Sequence, residues 1–336
     1  MESIPDSDSR DLKLIKRKKN IAWGAGTLFE LFVVNQPEWT LAYCLDRSPL
    51  LQGTFLSGIP ILPPETLNQE PREEIFVIIT ATSSNGIQSI QEELSARGFV
   101  FGQDYADLAW VLRASFQKKL ESIFSHGISN DRFLLAHAFN FNSRIGLETT
   151  VLGNWLLLEA LAATASLGGA IAEVGAFQGG NAYLQLVGMA LGQDRRRYYV
   201  IDSFQGFRPL SPQDPSHLQE AYKPQDYFVP LIANRLRQFE QASMLIGFVP
   251  EVFDFLPRAE RFSLVFYDCD LYQPALDTFA FFWERLVAGG LLVIHDSIST
   301  PTGWTGVRKA LVEFFDPLAV SASDFWETTM SVIQKS

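Results

Sequence analysis

Residues 169–180 read GAIAEVGAFQGG, a short apolar strand that carries an acidic residue near its end and passes into a glycine-rich turn. The residues directly after this turn, 181–191, have the composition of a helix. The acidic and glycine positions are Glu173, Gly175, Gly179 and Gly180. Glycine lets a backbone approach a ligand without a Cβ in the way. This order of strand, turn and helix predicts the opening unit of a parallel α/β domain.

Polar residues follow the other apolar strands of the same half of the chain. Strand-like segments lie at 198–201, 243–246, 262–267 and 291–294. The residues that follow them in turn are Asp202, Ser203 and Phe204, then Gly247, then Asp268, Cys269 and Asp270, and finally His295 and Asp296. Helices are predicted at 227–239, 274–285 and 306–315. The carboxyl ends of parallel strands meet at one edge of a doubly wound sheet, so we expect a ligand site there.

The glycine turn resembles motif I of the class I S-adenosylmethionine (SAM) dependent methyltransferases. The resemblance implies that the turn approaches the methionine end of SAM, whose positive charges the acidic strand residue complements. At the end of the next strand, Asp202 is expected to accept both ribose hydroxyls, and Phe204 to flank the adenosine. The predicted SAM-binding residues are Glu173, Gly175, Phe177, Gly179, Gly180, Asp202, Ser203, Phe204 and Gly247.

Further motifs make the resemblance more specific. They are DSFQGF at 202–207, YDCDLY at 267–272, the pair Gly289-Gly290, and GVRKALVEF at 306–314. In this order and spacing, residues 145–316 resemble the macrocin O-methyltransferase family. The resemblance implies Mg²⁺-dependent methylation of a sugar hydroxyl in natural product biosynthesis. It does not cover the N-terminal domain.

A metal site is predicted from carboxylates at adjacent strand ends. A hydroxyl attacks a methyl group well only while its proton is leaving, and a coordinated cation lowers the pKa of that hydroxyl. Asp268 and Asp296 offer hard oxygen ligands that suit Mg²⁺. The family typically has two acidic residues after the fifth strand, whereas this chain has His295-Asp296. His295 is expected either to be a third ligand, which favours Mn²⁺, Fe²⁺ or Zn²⁺, or to act as general base without a metal.

Several neighbouring residues have two readings. Asp270 is expected either to act with Asp268 and His295 in catalysis or to cap the helix that begins near Pro274. Tyr272 is predicted to form a pocket wall. Proline-rich residues 211–227, which include His217, are expected to form a lid, and Trp304 to stack on a sugar ring. His126 and His137 lie in a predicted capped helix, which accounts for them without a functional role. Residues of the helical cap often line the acceptor pocket, which is the alternative.

The N-terminal half predicts a second, smaller domain of the Rossmann-like kind. Gly24 and Gly26 follow a short strand, and Asp46 ends the next one, as in a dinucleotide-binding turn. Phe29 stands at the position of the third glycine, so the match is incomplete. A nucleotide or nucleotide-sugar is one expected ligand at Gly24, Gly26 and Asp46. A docking or oligomerisation role is the alternative.

The whole chain is therefore predicted to contain two doubly wound α/β domains. We expect a tail at 1–19, a small Rossmann-like domain at 20–110, a helical linker and cap at 111–165, and a SAM-dependent methyltransferase domain at 166–336. The net charge of −11 argues against a nucleic-acid partner. No apolar stretch reaches the roughly 20 residues of a membrane span, and the first residues lack a secretory signal. Two cysteines suggest free thiols in the cytoplasm, and a homodimer is reasonable.

Three functions are compatible with these patterns. The first is a SAM-dependent O-methyltransferase that acts on a small-molecule hydroxyl, with a divalent metal in one version of the mechanism. The second is a nucleotide-sugar or NAD(P)-binding enzyme centred on the N-terminal domain. The third is a non-catalytic SAM-fold module whose metal site has decayed, for which His295 is the supporting observation.

Overall fold

A computed structural model describes residues 18–140, 149–300 and 305–336. The N-terminal domain is built on a six-stranded sheet with the order β3-β4-β2-β1-β5-β6. Its strands are β1 (Lys19–Trp23), β2 (Leu41–Leu45), β3 (Phe55–Leu56), β4 (Ile59–Leu62), β5 (Ile75–Ile79) and β6 (Tyr105–Asp107). All neighbouring pairs are parallel except β3 with β4. Two helices connect the strands, α1 (Thr27–Asn35) and α2 (Ser84–Ala96).

Three helices join the two sheets: α3 (Leu108–Ile123), α4 (Asn130–Asn140) and α5 (Val151–Ala163). Asp107 caps α3 by accepting from the Trp110 N–H, and Thr150 caps α5 by accepting from the Gly153 N–H. Glu159, fully buried in α5, ties the helices together. It accepts from the Trp155 indole and pairs with His126 and Arg132, each at 2.8 Å.

The C-terminal domain is built on a seven-stranded sheet with the order β12-β13-β11-β10-β7-β8-β9. Its strands are β7 (Ala170–Val174), β8 (Tyr198–Asp202), β9 (Ala242–Ile246), β10 (Phe262–Tyr267), β11 (Leu286–Ile294), β12 (Ser323–Phe325) and β13 (Met330–Gln334). Its helices are α6 (Gly180–Leu191), α7 (Phe228–Leu236), α8 (Tyr272–Trp283) and α9 (Gly306–Phe315). The strand order reverses between β7 and β10, which is the point where doubly wound sheets bind ligands.

The predicted fold class of two α/β domains is confirmed. The five predicted strands of the C-terminal sheet are present, and β7 and β10 are buried along their whole length, as central parallel strands are. The sequence patterns missed β12 and β13, which add antiparallel to the edge of β11. They are short and follow a helix, so no long alternating pattern marks them.

The two domains share one hydrophobic core. Buried side chains of α1, α3, α5 and the β12–β13 region belong to a single cluster. Phe116 of α3 illustrates it, since its ring contacts both Trp155 and Phe325 at centroid distances of 5.8 and 5.6 Å. The N-terminal domain is therefore packed against the C-terminal sheet through this core. Among the helices of the described residues, none combines the length and apolarity that a bilayer crossing needs.

Candidate functional site

The carboxyl edge of the C-terminal sheet opens into a cavity of about 630 Å³. Residues after β7, β8, β9, β10 and β11 all line it, as the strand order predicts. Of the predicted site residues, those lining it are Gly175, Phe177, Gly180, Asp202, Ser203, Phe204, Gly247, Asp268, Asp270, His295 and Asp296. Glu173 and Gly179 are not among the lining residues.

Gly175 is required by a close approach of two strand ends. Its φ is +93°, and a Cβ there would overlap the backbone carbonyl of Asp268. Gly179 begins α6 in the left-handed conformation with φ +70°, where a Cβ would lie 2.9 Å from Ile232. Gly175 thus brings the turn after β7 against the residues that follow β10, and Gly179 brings the start of α6 against α7.

Asp202 holds the same turn from the neighbouring strand. Its carboxylate accepts from the Phe177 N–H at 2.8 Å and from the Phe204 N–H at 2.7 Å. Burial raises the pKa of Asp202, and these backbone hydrogen bonds oppose that rise. The carboxylate lines the cavity with lone pairs left for a ligand hydroxyl.

Glu173 lies behind the cavity and not in it. Successive side chains of a strand point to opposite faces, and Glu173 faces the layer of α6. Its carboxyl group accepts from the Tyr198 hydroxyl at 2.6 Å and from Gln185 at 3.4 Å. Burial raises its pKa to about 8 despite the Tyr198 hydrogen bond. The sequence predicts this carboxylate beside the cofactor, but the alternation of side chains along β7 directs it away from the cavity.

The pKa of Glu173 predicts a pH-dependent stability. The folded pKa of about 8 exceeds the ordinary value of 4.5, so stability should fall as the pH rises between these two values. Glu173→Gln removes this titration. The free energy of unfolding of the variant minus that of the wild type should therefore increase by roughly a few kcal/mol between pH 5 and pH 8. Urea unfolding of both proteins without cofactor at the two pH values measures this gain. A constant difference between them would contradict the prediction.

Four ligand-type side chains meet at the ends of β10 and β11. Donor atoms of Asp268, Asp270, His295 and Asp296 all lie within 4.8 Å of one another. His295 Nδ1 lies 2.8 Å from Asp268 Oδ1 and 3.3 Å from Asp296 Oδ2. Three carboxyl groups this close repel one another unless protons or a cation lie between them. The donor set fits a divalent cation.

The charges of this cluster are strongly coupled. Burial lowers the pKa of His295, but the Asp268 and Asp296 carboxylates outweigh it and raise that pKa well above its ordinary value. Burial and the neighbouring Asp296 raise the pKa of Asp270 well above the usual range. Without a cation, the cluster therefore favours the protonated forms of His295 and Asp270.

Thr329, which the sequence patterns did not indicate, orients His295. Its hydroxyl lies 3.1 Å from His295 Nε2 and donates to the Thr328 carbonyl at 2.7 Å. A hydroxyl has one proton, so it accepts from the Nε2–H, and Nδ1 faces the carboxylates. Thr329 reaches the site because β13 pairs with β11, a long-range contact without a local sequence signal.

The helix cap expected from Asp270 belongs to another residue. Asp214 Oδ1 accepts from the Tyr272 N–H at 2.7 Å, at the start of α8. Asp270, with φ +60°, turns instead toward the cluster. The hydroxyl of Tyr272 bonds to Glu313, and Tyr272 is not among the cavity-lining residues, so it is not the predicted pocket wall.

The segment after β8 covers part of the cavity. Phe207, Arg208, Pro209 and Asp214 line it, and so does Tyr222, whose ring meets those of Phe177 and Phe207 at 5.1 and 5.4 Å. The predicted covering segment therefore starts earlier than residue 211. Neither His217 nor the helical pair His126 and His137 is among the lining residues. Trp304 lies outside the described residues.

The first turn of the N-terminal domain repeats the geometry of the second domain. Asp46 accepts from the Ala25 N–H and the Ser48 N–H, both at 2.8 Å. Gly24 has φ +113°, and a Cβ there would lie 2.7 Å from the Ala81 nitrogen. Packing between strand ends therefore accounts for Gly24 and Asp46 without a nucleotide.

Comparisons with known proteins identify a family for the C-terminal part of the chain. Residues 157–322 match the family described as Macrocin-O-methyltransferase (TylF). No curated protein matches the sequence. The solved structure of the O-methyltransferase NovP is 16% identical, with a TM-score of 0.47, and the match covers 67% of this chain and 98% of that one.

Two other solved structures have a similar relation to this chain. The calicheamicin methyltransferase CalS11 is 15% identical, with a TM-score of 0.45 and coverage of 66% of this chain and 91% of that chain. The O-methyltransferase TomG from Streptomyces achromogenes, involved in tomaymycin synthesis, is 14% identical, with a TM-score of 0.39 and coverage of 66% and 96%. The assignment to the macrocin O-methyltransferase family rests on the match of residues 157–322 and not on these distant structural likenesses.

Proposed function

Because the C-terminal domain belongs to the macrocin O-methyltransferase family and is a SAM-dependent O-methyltransferase, we propose that its acceptor is a hydroxyl of a neutral sugar or glycosylated small molecule. One observation carries this proposal. The glycine turn with Asp202 and the Asp268 cluster line the same cavity, so a methyl donor and a hydroxyl acceptor can meet there.

The cofactor half of the cavity is formed by the residues after β7 and β8. Gly175 and Gly180 leave room for the methionine part of SAM, and Asp202 can accept the ribose hydroxyls. Phe204 lies near Asp202 and is mostly buried, and from this position its ring can contact the adenosine. Glu173 contributes from behind by holding Tyr198 and Gln185, and it does not contact the cofactor directly in this proposal.

The acceptor half is formed by the residues after β10 and β11. Asp268, His295 and Asp296 would hold a divalent cation, with Asp270 beside them. Such an ion, when bound, lowers the pKa of the acceptor hydroxyl and directs its oxygen. The carboxylate oxygens suit Mg²⁺, while the imidazole extends the choice to Mn²⁺, Fe²⁺ and Zn²⁺. Metal-free base catalysis by His295 is less well supported, because the Asp268 and Asp296 carboxylates raise the pKa of the imidazole and favour its protonated form, which cannot accept a proton.

Charge supports a neutral acceptor. The aspartates that line the cavity are Asp202, Asp214, Asp268, Asp270, Asp277 and Asp296. Among the described lining residues, Arg208 is the one with a fixed positive charge, and Glu251 pairs with it at 2.9 Å. Even with a divalent cation bound at the Asp268 cluster, a nucleotide-sugar would bring two further negative charges into a cavity lined mainly by carboxyl groups. An uncharged glycoside avoids that repulsion.

The compartment is proposed from the thiols. Cys44 and Cys269 are free cysteines, the first fully buried and the second partly buried. Free thiols of this kind are usual in the reducing cytoplasm. We propose a cytoplasmic location on this ground.

Methyl transfer from isotope-labelled SAM tests the function. With methyl and phenyl glycosides of neutral hexoses as acceptors, we expect labelled methyl ethers and an equal amount of demethylated cofactor. Excess chelator should stop turnover, and added Mg²⁺ or Mn²⁺ should restore it. Label on nitrogen or carbon, or no transfer to any hydroxyl, would refute the proposed acceptor. Full turnover in chelator would refute only the metal and would leave His295 as the base.

A further inference from the structure

The carboxyl edges of both sheets open into the same cavity. Thr27 and Leu28 follow the turn after β1, and Thr82 follows β5, so all three belong to the carboxyl edge of the N-terminal sheet. They line the cavity together with residues at the carboxyl edge of the C-terminal sheet. The edge of the small domain is thus part of the methyltransferase cavity and not a separate surface.

A series of contacts connects these residues to the acceptor side of the cavity. Helix α1, which begins at Thr27, packs against the turn Trp326–Thr328. The next residue, Thr329, contacts His295, which belongs to the cluster with Asp268, Asp270 and Asp296. The loop that carries Thr82 is connected to the loop after β1, because the Thr80 hydroxyl donates to the Gly24 carbonyl at 2.7 Å. The loops after β1 and β5 therefore face the cavity as one surface.

The turn before Thr329 is held by an ion pair and by packing from the rest of the chain. Glu327 of the turn is 7% exposed and pairs with Lys119 of α3 at 3.1 Å. The Lys119 ammonium also lies 4.8 Å from the ring centre of Phe325. Packing and ion pairing from α1 and α3 thus hold the turn that precedes Thr329.

The chemistry of this surface is neutral. Two threonine hydroxyls offer hydrogen bonds, and Leu28, which is 2% exposed, adds a small apolar contact. Across the cavity the C-terminal domain presents carboxylates. A surface of this kind suits an uncharged group with hydroxyls and an apolar face, and it provides no positive charge for a phosphate.

We propose that the carboxyl edge of the N-terminal domain is an acceptor-recognition surface, on which Thr27, Leu28 and Thr82 bind the part of a neutral glycoside that extends beyond the methylated ring. The proposal rests on the proposed function, because it concerns the acceptor of that reaction. It replaces an independent nucleotide site at Gly24, Gly26 and Asp46 with a role in substrate selection. The small domain then sets which aglycone or second sugar the enzyme accepts.

Ligand-observed NMR with a saturating amount of demethylated cofactor tests this surface in the full chain. The probes are methyl and phenyl glycosides of glucose, galactose and rhamnose, with UDP-glucose as an anionic probe. Thr27→Trp and Thr82→Trp each fill the surface from an exposed position. Thr40→Trp is the matched control, because Thr40 is exposed at the opposite, amino edge of the same sheet, just before β2.

We expect the wild type and Thr40→Trp to bind a phenyl glycoside more tightly than its methyl counterpart. Thr27→Trp and Thr82→Trp should weaken phenyl glycoside binding at least tenfold while cofactor affinity stays unchanged, which also shows that both variants are folded. Absence of glycoside binding by the wild type, equal affinities in all four proteins, or UDP-glucose binding that the two variants abolish would each overturn the proposal. Loss of cofactor binding or of methyl transfer by the wild type would count against the proposed function instead.

Discussion

Asp202→Ala is expected to lower the affinity for SAM by roughly 100-fold or more. The substitution removes the carboxylate that accepts from the Phe177 and Phe204 N–H groups, so the turn proposed to contact the cofactor loses its anchor. It also removes the proposed acceptor for the ribose hydroxyls. Hydrogen bonds to a charged group contribute about 1.5–3 kcal/mol each. The loss of two such bonds from the ribose to Asp202 accounts for the predicted loss of SAM affinity. Isothermal titration calorimetry with SAM measures it.

Asp46→Ala provides the matched control. Asp46 ends β2 of the N-terminal sheet as Asp202 ends β8, and it also accepts two backbone N–H groups. The control variant therefore suffers a similar local loss in the other domain, and its SAM affinity should stay within about threefold of the wild type. Circular dichroism verifies that both variants are folded. Unchanged SAM affinity in a folded Asp202→Ala protein would exclude the proposed cofactor site.

Asp268→Asn is expected to reduce methyl transfer by roughly 100-fold or more while SAM affinity stays nearly unchanged. The amide keeps the size of the side chain but removes the negative charge that lies 2.8 Å from His295 Nδ1. The variant cluster would then hold the proposed cation more weakly and would no longer orient the imidazole by charge. Single-turnover transfer from labelled SAM, with calorimetry of SAM on the same preparation, separates the two quantities.

Asp277→Asn serves as the control for the loss of one charge from the cavity. Asp277 lines the same cavity from α8, but it hydrogen-bonds to Gln273 and is not part of the four-residue cluster. Its turnover should resemble that of the wild type. Wild-type turnover in Asp268→Asn would remove this carboxylate from the mechanism, and equal losses in both variants would point to general electrostatics of the cavity.

Local patterns identified the residues whose role depends on their own strand and turn. Gly175 and Asp202 were predictable because a parallel strand followed by a turn must place its next residues at the carboxyl edge of the sheet. The same rule located Asp268 and Asp296. Glu173 shows the limit of this rule. It lies one position before the end of β7, and its side chain points to the face of the sheet that packs against α6.

What the sequence by itself determined is the order of strands, the glycine turns and the carboxyl edge at which the chemistry is placed. The tertiary structure alone decided which distant residues complete that edge. Thr329 reaches His295 only because an antiparallel strand adds to β11, and Asp214 replaces Asp270 as the cap of α8 through a loop contact. Thr27 and Thr82 enter the cavity only because a shared core holds the two sheets edge to edge. Such contacts depend on packing between segments far apart in the chain, and no local periodicity records them.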